Sequence, residues 1–149
     1  MTTAIMQPTY LPWPGYFSLI KYFKNFVFLD DVQFERRSWQ CRNYLEIQNK
    51  AKILSVPTKN KGNFNENINK IKIDYESNWK KKHLLTIEQS YKKYKYFKEV
   101  FSIYEKQILS NYEMISDLNI NLIKEISSYL QLDVNFLISS EININKKKN

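Results

Sequence analysis

The chain has 149 residues, of which 43% are hydrophobic and 26% charged, and a formal net charge of +8; these values predict one globular domain and exclude a collagenous or wholly disordered protein. Its apolar runs are shorter than the ~18 residues that a membrane-spanning helix needs, and a single cysteine and a single histidine argue against an internal disulfide and a zinc cluster. The N-terminus lacks a basic start followed by a long apolar stretch, so we expect no secretory signal and a cytoplasmic protein.

The N-terminal part predicts two buried strands joined through a helix. Residues 3 to 7 and 26 to 29 are short continuous apolar runs, which are typical of strands covered on both faces. Between them a proline-rich loop leads into a helical pattern from Gly15, and Pro14 suits the first turn of that helix. A strand–helix–strand unit of this kind favours a parallel sheet.

The middle of the chain predicts extended structure and a polar loop. Residues 43 to 48 and 52 to 56 are expected to form a β-hairpin. Residues 58 to 67 are polar and include Gly62, so they predict a loop. A short strand is expected at 70 to 74, where isoleucines alternate imperfectly with polar residues.

The C-terminal half predicts mainly helices. Apolar residues recur at spacings of three and four in three groups: Trp79, His83, Ile87, Tyr91 and Tyr94; Phe97, Val100, Phe101, Tyr104 and Ile108; and Ile115, Leu118, Leu122, Ile126 and Tyr129. Ser110 and Glu113 have the spacing of a capping box before the third helix, and residues 134 to 139 predict a closing strand. The expected fold class is therefore α/β: a small mostly parallel sheet with flanking helices, a β-hairpin insertion and a helical C-terminal half. In this interpretation residues 1–145 form the single domain and residues 146–149 a disordered lysine tail.

The positive charge comes almost entirely from lysine, which supplies 20 of the 23 basic residues. The lysines accompany many Asn, Ile and Tyr residues, a composition expected of an AT-rich genome, so solvated charge and a nucleic-acid face both remain open. In the segment YKKYKYFKEVF lysines are mixed with aromatic residues, which is compatible with nucleic-acid binding. The aromatic residues fall at helical core spacing, however, so we interpret them as core and do not expect a nucleic-acid partner.

The three arginines, Arg36, Arg37 and Arg42, all lie within one seven-residue window. Arginine offers a planar fork that binds carboxylates and phosphates through two hydrogen bonds, which lysine cannot reproduce. The cluster therefore predicts recognition of an anionic small molecule. A structural ion pair with the acidic residues that precede it is the alternative.

The loop from Gln7 to Phe17 contains three prolines and is therefore stiff, so it loses little entropy when it binds a ligand. It leads into the predicted helix near Gly15, and the free backbone N–H groups at a helix start attract anions. The rings of Tyr10, Trp13 and Tyr16 could stack on a base or a sugar. Packing of these aromatic residues in the core is an equally open interpretation.

Polar residues follow the second predicted strand directly. Asp30 and Asp31 stand at its carboxyl end, the edge at which parallel sheets bind ligands, and Gln7 is expected at the same edge. A carboxylate placed there suits a general base, a metal ligand or a hydroxyl acceptor. A charge cluster that neutralises itself with Arg36 and Arg37 is the alternative.

His83 lies four residues after Trp79 and four before Ile87, on the same apolar helix face. A hydrogen-bonded core histidine is the simpler interpretation, and catalysis is the alternative because the unperturbed pKa of histidine lies near neutrality. Glycine-rich nucleotide loops and the GxSxG and HExxH motifs are absent from the sequence, so it predicts no particular cofactor or metal.

Two blocks, IMQPTYLPWPGYFSLI and FVFLDDVQFERRSWQCRN, resemble the N-terminal signature of the WbqC-like protein family, and the similarity continues through WKKKHLLTIEQSYKK, YFKEV and FLISSEI. The resemblance implies a bacterial cytoplasmic protein that acts in the biosynthesis of O-antigen, lipopolysaccharide or another surface polysaccharide. It further implies a transferase that adds a glycyl or acyl group to a nucleotide-linked amino sugar, or the substrate-binding half of such an enzyme. A non-catalytic binding or assembly module is the alternative.

The family pattern matches this chain at Gln7, Pro8, Gly15 and Tyr16 in the first block, at Asp30, Asp31, Arg37 and Asn43 in the second, and at His83 in the third. The candidate catalytic residues are His83, Asp30 and Asp31. The candidate substrate-binding residues are Gln7, Tyr10, Trp13, Gly15, Tyr16, Arg36, Arg37, Arg42 and Asn43. Typical members continue well beyond the position that matches residue 140, so we expect a homodimer or a partner chain to cover the face that their second half would occupy.

Overall fold

The structure, a computed structural model, describes residues 2–47, 49–59 and 65–142. Its strands are β1 (Thr3–Met6), β2 (Asn25–Phe28), β3 (Arg42–Ile47), β4 (Lys50–Ser55), β5 (Thr58–Lys59), β6 (Lys72–Ile73) and β7 (Asn135–Ile138). Its helices are α1 (Pro14–Tyr22), α2 (Trp79–Tyr91), α3 (Phe97–Leu109) and α4 (Ile115–Tyr129), with 3₁₀ turns at Ile68–Lys70 and Ser139–Glu141. Gly62 and the predicted lysine tail at 146–149 lie outside the described residues.

The central sheet is parallel, as the sequence predicts. β2 lies between β1 and β7, and Met6, Phe28 and Ile138 stand side by side at the carboxyl ends of the three strands. The strands are short continuous apolar runs because the middle one is covered on both faces: Phe26 and Phe28 are buried on one face, and Val27, which points to the other face, is buried as well. The ring of Phe28 stacks on that of Phe136, with centroids 5.2 Å apart. The residues that follow each strand therefore leave the sheet at one edge.

Helix α1 connects β1 to β2 and begins at the predicted proline. Pro14 occupies the start of the helix, where its missing N–H removes no hydrogen bond because first-turn N–H groups have no partner within a helix. Tyr16 and Ile20, one turn apart, are buried in the core beside the sheet. This strand–helix–strand unit, completed by β7, confirms the predicted α/β class.

The hairpin follows the prediction, but the residues after it differ in two ways. β3 and β4 form the expected antiparallel hairpin, and Asn49 at its tip has a φ of 61°, a left-handed conformation that asparagine tolerates better than most residues. The predicted loop at 58 to 67 is wrong at its start, because Thr58–Lys59 forms β5 and pairs with β6. The strand expected at 70 to 74 is shorter than predicted. Only β6 pairs there, with β5, and Ile68–Lys70 forms a 3₁₀ turn instead.

Helix α4 packs against both halves of the molecule. Ile120 and Ile123 reach the core beside the parallel sheet, whereas Ile115, Leu118 and Leu122 reach a second core that includes residues of the hairpin, α2 and α3. Because these two sets lie on different faces of the helix, α4 joins the two cores. In the part of the chain that the structure describes, no helix has both the length and the apolar character needed to span a bilayer.

Two interpretations of the C-terminal half are wrong. Ser110 does not cap the third predicted helix, because its hydroxyl donates to the Lys106 carbonyl, 2.9 Å away, at the end of α3, and α4 begins later with no side-chain cap. The aromatic residues of YKKYKYFKEVF are not all core residues. Helix α2 ends at Tyr91 and the chain turns before α3, which leaves Tyr94 and Tyr96 each 58% exposed.

Candidate functional site

The parallel sheet brings residues from three distant parts of the chain to one edge. β1, β2 and β7 run in the same direction with their ends in register, so Gln7, Asp30 and Ser139 all emerge from the carboxyl end of the sheet. This is the edge at which parallel sheets bind ligands. The serines that follow β7 were missed by the sequence analysis, because an isolated serine pair carries no chemical signature.

Asp30 is buried at this edge, and its carboxylate lies within hydrogen-bond distance of three donors, one of which it shares with Asp31. Its Oδ1 accepts from the Ser140 N–H (3.0 Å) and from the Ser139 hydroxyl (3.0 Å). Its Oδ2 accepts from the Ser140 hydroxyl (2.7 Å). A buried carboxylate needs such donors because an unsatisfied buried charge is costly. The geometry therefore fixes Asp30 firmly and occupies most of its acceptor capacity.

Asp31 differs from its neighbour because it is exposed. The Ser139 hydroxyl lies within hydrogen-bond distance of both Asp31 Oδ1 and Asp30 Oδ1. A hydroxyl has one proton, so Ser139 donates to one carboxylate at a time. Ser139 thus links the buried carboxylate to the accessible one, and Asp31 is the carboxylate that a ligand can reach.

The surroundings of this edge are acidic. Burial, together with the negative charges of Asp30, Glu113 and Glu141, raises the pKa of Asp117 in the first turn of α4. The salt bridges among the described residues all use lysine, so the arginines form no ion pair with Asp30 or Asp31. No group of three or more His, Cys, Asp and Glu side chains in the described ranges is arranged to hold a metal ion. The edge is therefore suited to a positively charged group such as an amine.

Two loops that leave the sheet edge, one after β1 and one after β2, are tied together by hydrogen bonds. The Gln40 side-chain amide donates to Gln7 Oε1 (2.9 Å), and the Tyr10 N–H donates to the Trp39 carbonyl (2.9 Å). We call the whole set of these bonds the loop clasp; its residues are Gln7, Tyr10, Trp39, Gln40, Asn43 and Asn119. The clasp fixes the proline-rich loop against the arginine-containing loop.

Asn43 and Asn119 complete the loop clasp. The Asn43 side-chain amide donates to the Leu11 carbonyl, at a residue whose φ of 48° is left-handed and costs roughly 1–2 kcal/mol for an L-residue. Asn119, buried on α4, donates to the carbonyls of Pro8 (3.2 Å) and Gln40 (2.8 Å). One asparagine therefore stabilises a strained turn, and the other satisfies a buried carbonyl from each loop.

His83 and Tyr10 meet in the core. His83 is 2% exposed, and the Tyr10 hydroxyl lies 2.8 Å from His83 Nδ1 and 2.7 Å from the Tyr104 hydroxyl. Burial lowers the pKa of His83 to about 4, against the raising effect of a hydrogen bond to the Ser55 backbone. The ring is therefore neutral at pH 7, and its polar contacts, with the Tyr10 hydroxyl at Nδ1 and with the Ser55 backbone, lie within the protein. This is the arrangement of a hydrogen-bonded core histidine.

Two of the three arginines line the same surface pocket. Arg37 and Arg42 line it together with Ser38, Trp39 and Tyr44, and its volume is about 170 Å³. The exposed rings of Trp39 and Tyr44 meet edge to face, with centroids 5.9 Å apart. Arg37 has a φ of 61°, and backbone strain of this kind is often found at ligand sites. Two guanidinium groups beside two aromatic faces suit an anion that is joined to a flat ring.

The remaining predicted site residues have local roles. Arg36 is exposed and outside the lining of the arginine pocket. Tyr16 is buried and its hydroxyl donates to the Gln7 carbonyl (3.0 Å). Trp13 is 65% exposed and its ring covers Gly15 so closely that a Cβ there would lie 1.7 Å from a ring atom. Gly15 thus allows this ring position, and Trp13 presents an open aromatic face.

Comparison with known proteins identifies the family. The model of the WbqC-like protein family matches residues 7–149. The uncharacterized protein Rv1507c of Mycobacterium tuberculosis is 34% identical over 131 residues, a match that covers 85% of this chain and 55% of that relative. The chain therefore spans about half the length of the relative. No solved structure matches the chain significantly. On these matches, the chain belongs to the WbqC-like protein family.

Proposed function

We propose that the protein binds an anionic, nucleotide-linked amino sugar and transfers a glycyl or acyl group to the sugar amine. The setting that we propose is the cytoplasmic biosynthesis of a bacterial surface polysaccharide such as the O-antigen of lipopolysaccharide. The observation that carries the proposal is the pocket formed by Arg37 and Arg42 with Trp39 and Tyr44. It belongs to the same segment that carries Asp31 after β2.

The arginine pocket supports binding of the nucleotide part. Guanidinium groups bind phosphate oxygens through paired, charge-assisted hydrogen bonds. A volume of about 170 Å³ is below the roughly 300–1,000 Å³ of pockets that enclose a whole drug-sized ligand. We therefore expect the pocket to hold a phosphate, while the base or sugar lies over the exposed rings of Trp39 and Tyr44.

The acidic edge supports a reaction at an amine. In the proposed step the sugar nitrogen forms a bond to the carbonyl carbon of an activated acyl donor, the bond from that carbon to its leaving group breaks, and the leaving group departs with the electron pair. Asp31 is the exposed carboxylate at the edge, and we assign it the role of accepting the proton that the nitrogen loses. Ser139, through its hydrogen bond to Asp31, would orient that carboxylate.

Asp30 and His83 receive positioning roles in this proposal. Asp30 is held by Ser139 and Ser140, so it would act through Ser139 and not on the substrate. His83 is neutral and buried against Tyr10, so it would hold the proline-rich loop in place. The catalytic role predicted for His83 stays a prediction, and its two internal hydrogen bonds favour the structural alternative.

The binding half of the proposal is tested by calorimetric titration with UDP, TDP and inorganic pyrophosphate. We expect Arg37→Lys to weaken binding of the preferred ligand at least tenfold, because lysine keeps the charge but loses the paired hydrogen bonds. Arg36→Lys is the matched control, since Arg36 lies outside the pocket lining, and it should change the affinity less than twofold. Unchanged affinity in Arg37→Lys would remove the arginine pocket from the proposal.

A non-catalytic binding module is the second candidate function, and the internal satisfaction of Asp30 and His83 favours it. The two candidates differ in what Asp31→Asn does. In a transferase this variant should bind the nucleotide sugar normally but form acylated product at least a hundredfold more slowly. If the wild-type chain binds the nucleotide sugar and forms no product with glycyl or acyl donors, the binding module is the better description.

A further inference from the structure

Two cavities meet between the β3–β4 hairpin, the end of α2 and the start of α3. The first, of about 520 Å³, has a lining rich in lysine, and the second, of about 470 Å³, has a lining made mostly of apolar side chains. Tyr91 and Tyr94 line both cavities, so the cavities adjoin. We call the pair the amphipathic cleft, with a lysine chamber and an apolar chamber. Neither chamber is part of the arginine pocket or of the acidic sheet edge.

The apolar chamber continues a helix face that begins in the core. Phe97, Val100, Phe101 and Tyr104 recur on α3 at spacings of three and four, so they share one face, and all four line the chamber. Tyr104 is buried, whereas Val100 is 39% exposed. The rings of Phe97 and Phe101 stack with centroids 4.9 Å apart. A concave apolar face left open to water favours a ligand that covers it with hydrocarbon.

The lysine chamber carries an excess of positive charge. Lys52, Lys92 and Lys93 line it together with one carboxylate, that of Glu46. The salt bridges among the described residues engage other lysines, so none of these three is paired with a described carboxylate. The Lys93 ammonium lies over the Tyr94 ring, 5.6 Å from its centroid, on the wall that the two chambers share. The Tyr91 hydroxyl donates to the Glu46 carbonyl (2.9 Å), which fixes the wall between the chambers to the hairpin.

We propose that the amphipathic cleft binds a single-chain anionic amphiphile from solution, with its head group in the lysine chamber and its hydrocarbon chain in the apolar chamber. The charge of the lysine chamber selects the anionic head group, and the adjoining apolar chamber selects a chain attached to it. A second copy of this chain is a poorer occupant, because its net charge of +8 would face the lysines. A concave chamber can also enclose a single hydrocarbon chain, whereas it makes little contact with the flat surface of a bilayer.

The experiment is a calorimetric titration of the 149-residue chain with dodecyl phosphate below its critical micelle concentration. We expect saturable binding of one molecule, weakened by added salt because the head group is held by charge. Decyl phosphate should bind about fifteenfold more weakly, since each buried methylene contributes roughly 0.8 kcal/mol. Inorganic phosphate has the negative charge without the hydrocarbon chain, and dodecyl maltoside has the chain without the charge. Each should bind at least thirtyfold more weakly than dodecyl phosphate.

Two variants locate the ligand. Lys92→Glu combined with Lys93→Glu should weaken dodecyl phosphate binding at least tenfold, while Lys21→Glu combined with Lys81→Glu, an equal change in net charge away from the cleft, should change it less than threefold. Val100→Asp places a charge in the apolar chamber and should abolish binding. Circular dichroism and the urea denaturation midpoint serve as folding controls for every variant, so this test does not depend on the proposed function.

Three results would overturn the inference. Equal affinity for dodecyl phosphate and dodecyl maltoside would show that the cleft does not recognise charge. Binding to vesicles of anionic phospholipid without binding to the monomeric amphiphile would identify a membrane surface instead. Concentration-dependent dimerisation that Val100→Asp abolishes, with no amphiphile binding by the wild type, would make a second copy the occupant.

Discussion

The loop clasp and the amphipathic cleft differ in how far their side chains are buried and hydrogen-bonded within the protein. In the clasp, Gln40 and Asn119 are buried and donate to or accept from partners within the protein. In the cleft, Tyr96 and Val100 leave apolar surface open to water. The loops after β1 and β2, which carry the most distinctive sequence blocks of this chain, therefore serve mainly to hold the structure together. Except for the buried Oδ1 of Asn119, which has no hydrogen-bond partner, the clasp directs its polar groups inward, so we expect ligands to bind at the exposed surfaces beside it.

The largest effect should come from removing Asn119 from the loop clasp. Asn119→Ala leaves the Pro8 and Gln40 carbonyls without their donor, and an unsatisfied buried carbonyl costs about 1–3 kcal/mol, so we expect a loss of about 4 kcal/mol. Urea denaturation measures this loss. Asn121→Ala on the exposed face of the same helix is the control and should cost less than about 0.5 kcal/mol. Similar losses in both variants would mean that the clasp adds little stability.

The second-largest effect should come from acid, which destabilises the folded protein through the buried His83. The pKa of His83 is lowered from 6.5 to about 4 by burial, so between these pH values the unfolded chain takes up a proton that the folded chain does not. The stability contributed by the neutral ring is complete above pH 6.5 and falls as the pH drops, by about 3 kcal/mol at pH 4.

The matched variant for this pH effect is His83→Gln. Glutamine keeps an acceptor for the Tyr10 hydroxyl and a donor for the Ser55 carbonyl, but it does not titrate. Urea denaturation at pH 7, 5.5 and 4 should therefore show a fall in stability that is about 3 kcal/mol smaller in the variant than in the wild type. Equal falls would indicate that His83 is protonated in the folded protein without penalty.

A smaller loss of stability should distinguish Asp30 from Asp31 when each is replaced by alanine. Asp30→Ala removes a buried carboxylate that accepts from the Ser140 N–H and the Ser140 hydroxyl, and hydrogen bonds to a charged group are worth more than neutral ones, so it should cost about 2 kcal/mol. Asp31→Ala, at an exposed carboxylate, should cost less than about 0.5 kcal/mol. Thermal denaturation of the two variants side by side checks the difference. Should Asp31→Ala prove the more destabilising change, Asp31 would be the supporting residue and Asp30 the accessible one.

The smallest effect should come from the cleft itself. Val100→Gln replaces a part-exposed apolar side chain on α3 with a polar one that also suits a helix, so we expect a change of about 0.5 kcal/mol or less in the free energy of unfolding. Urea denaturation without ligand measures it. A loss above about 1.5 kcal/mol would show that this face is packed and not open.

The parallel sheet was predictable because its strands are short apolar runs that end at punctuating residues. The position of β7 beside β2 was not, since periodicity says nothing about which strands become neighbours. The capping interpretation of Ser110 failed because a serine hydroxyl serves the end of one helix as readily as the start of the next. The prediction that Tyr94 and Tyr96 are core residues was wrong because both lie in the turn between α2 and α3, where the 3.6-residue period of a helix does not apply.

The candidate site was predictable in its parts but not in its connections. Strand ends and arginine clustering pointed to Asp30, Asp31 and Arg37 from local sequence alone. The partners Ser139 and Asn119 come from about 80 to 110 residues away along the chain, and neither residue type is unusual. Whether His83 or Tyr10 is buried depends on the packing of two distant segments, which their own spacing does not determine.

The position of β7 also determines when the sheet edge can form during synthesis. The bonds that hold Asp30 join residues 110 positions apart, and a ribosome adds about 5–20 residues per second. Roughly 5 to 20 s therefore pass between the emergence of Asp30 and that of its serine partners. During this interval one side of β2 has no neighbouring strand, and the nascent chain exposes an unpaired strand edge. We expect dependence on chaperones, and sensitivity to ribosome pausing, to be concentrated in this interval.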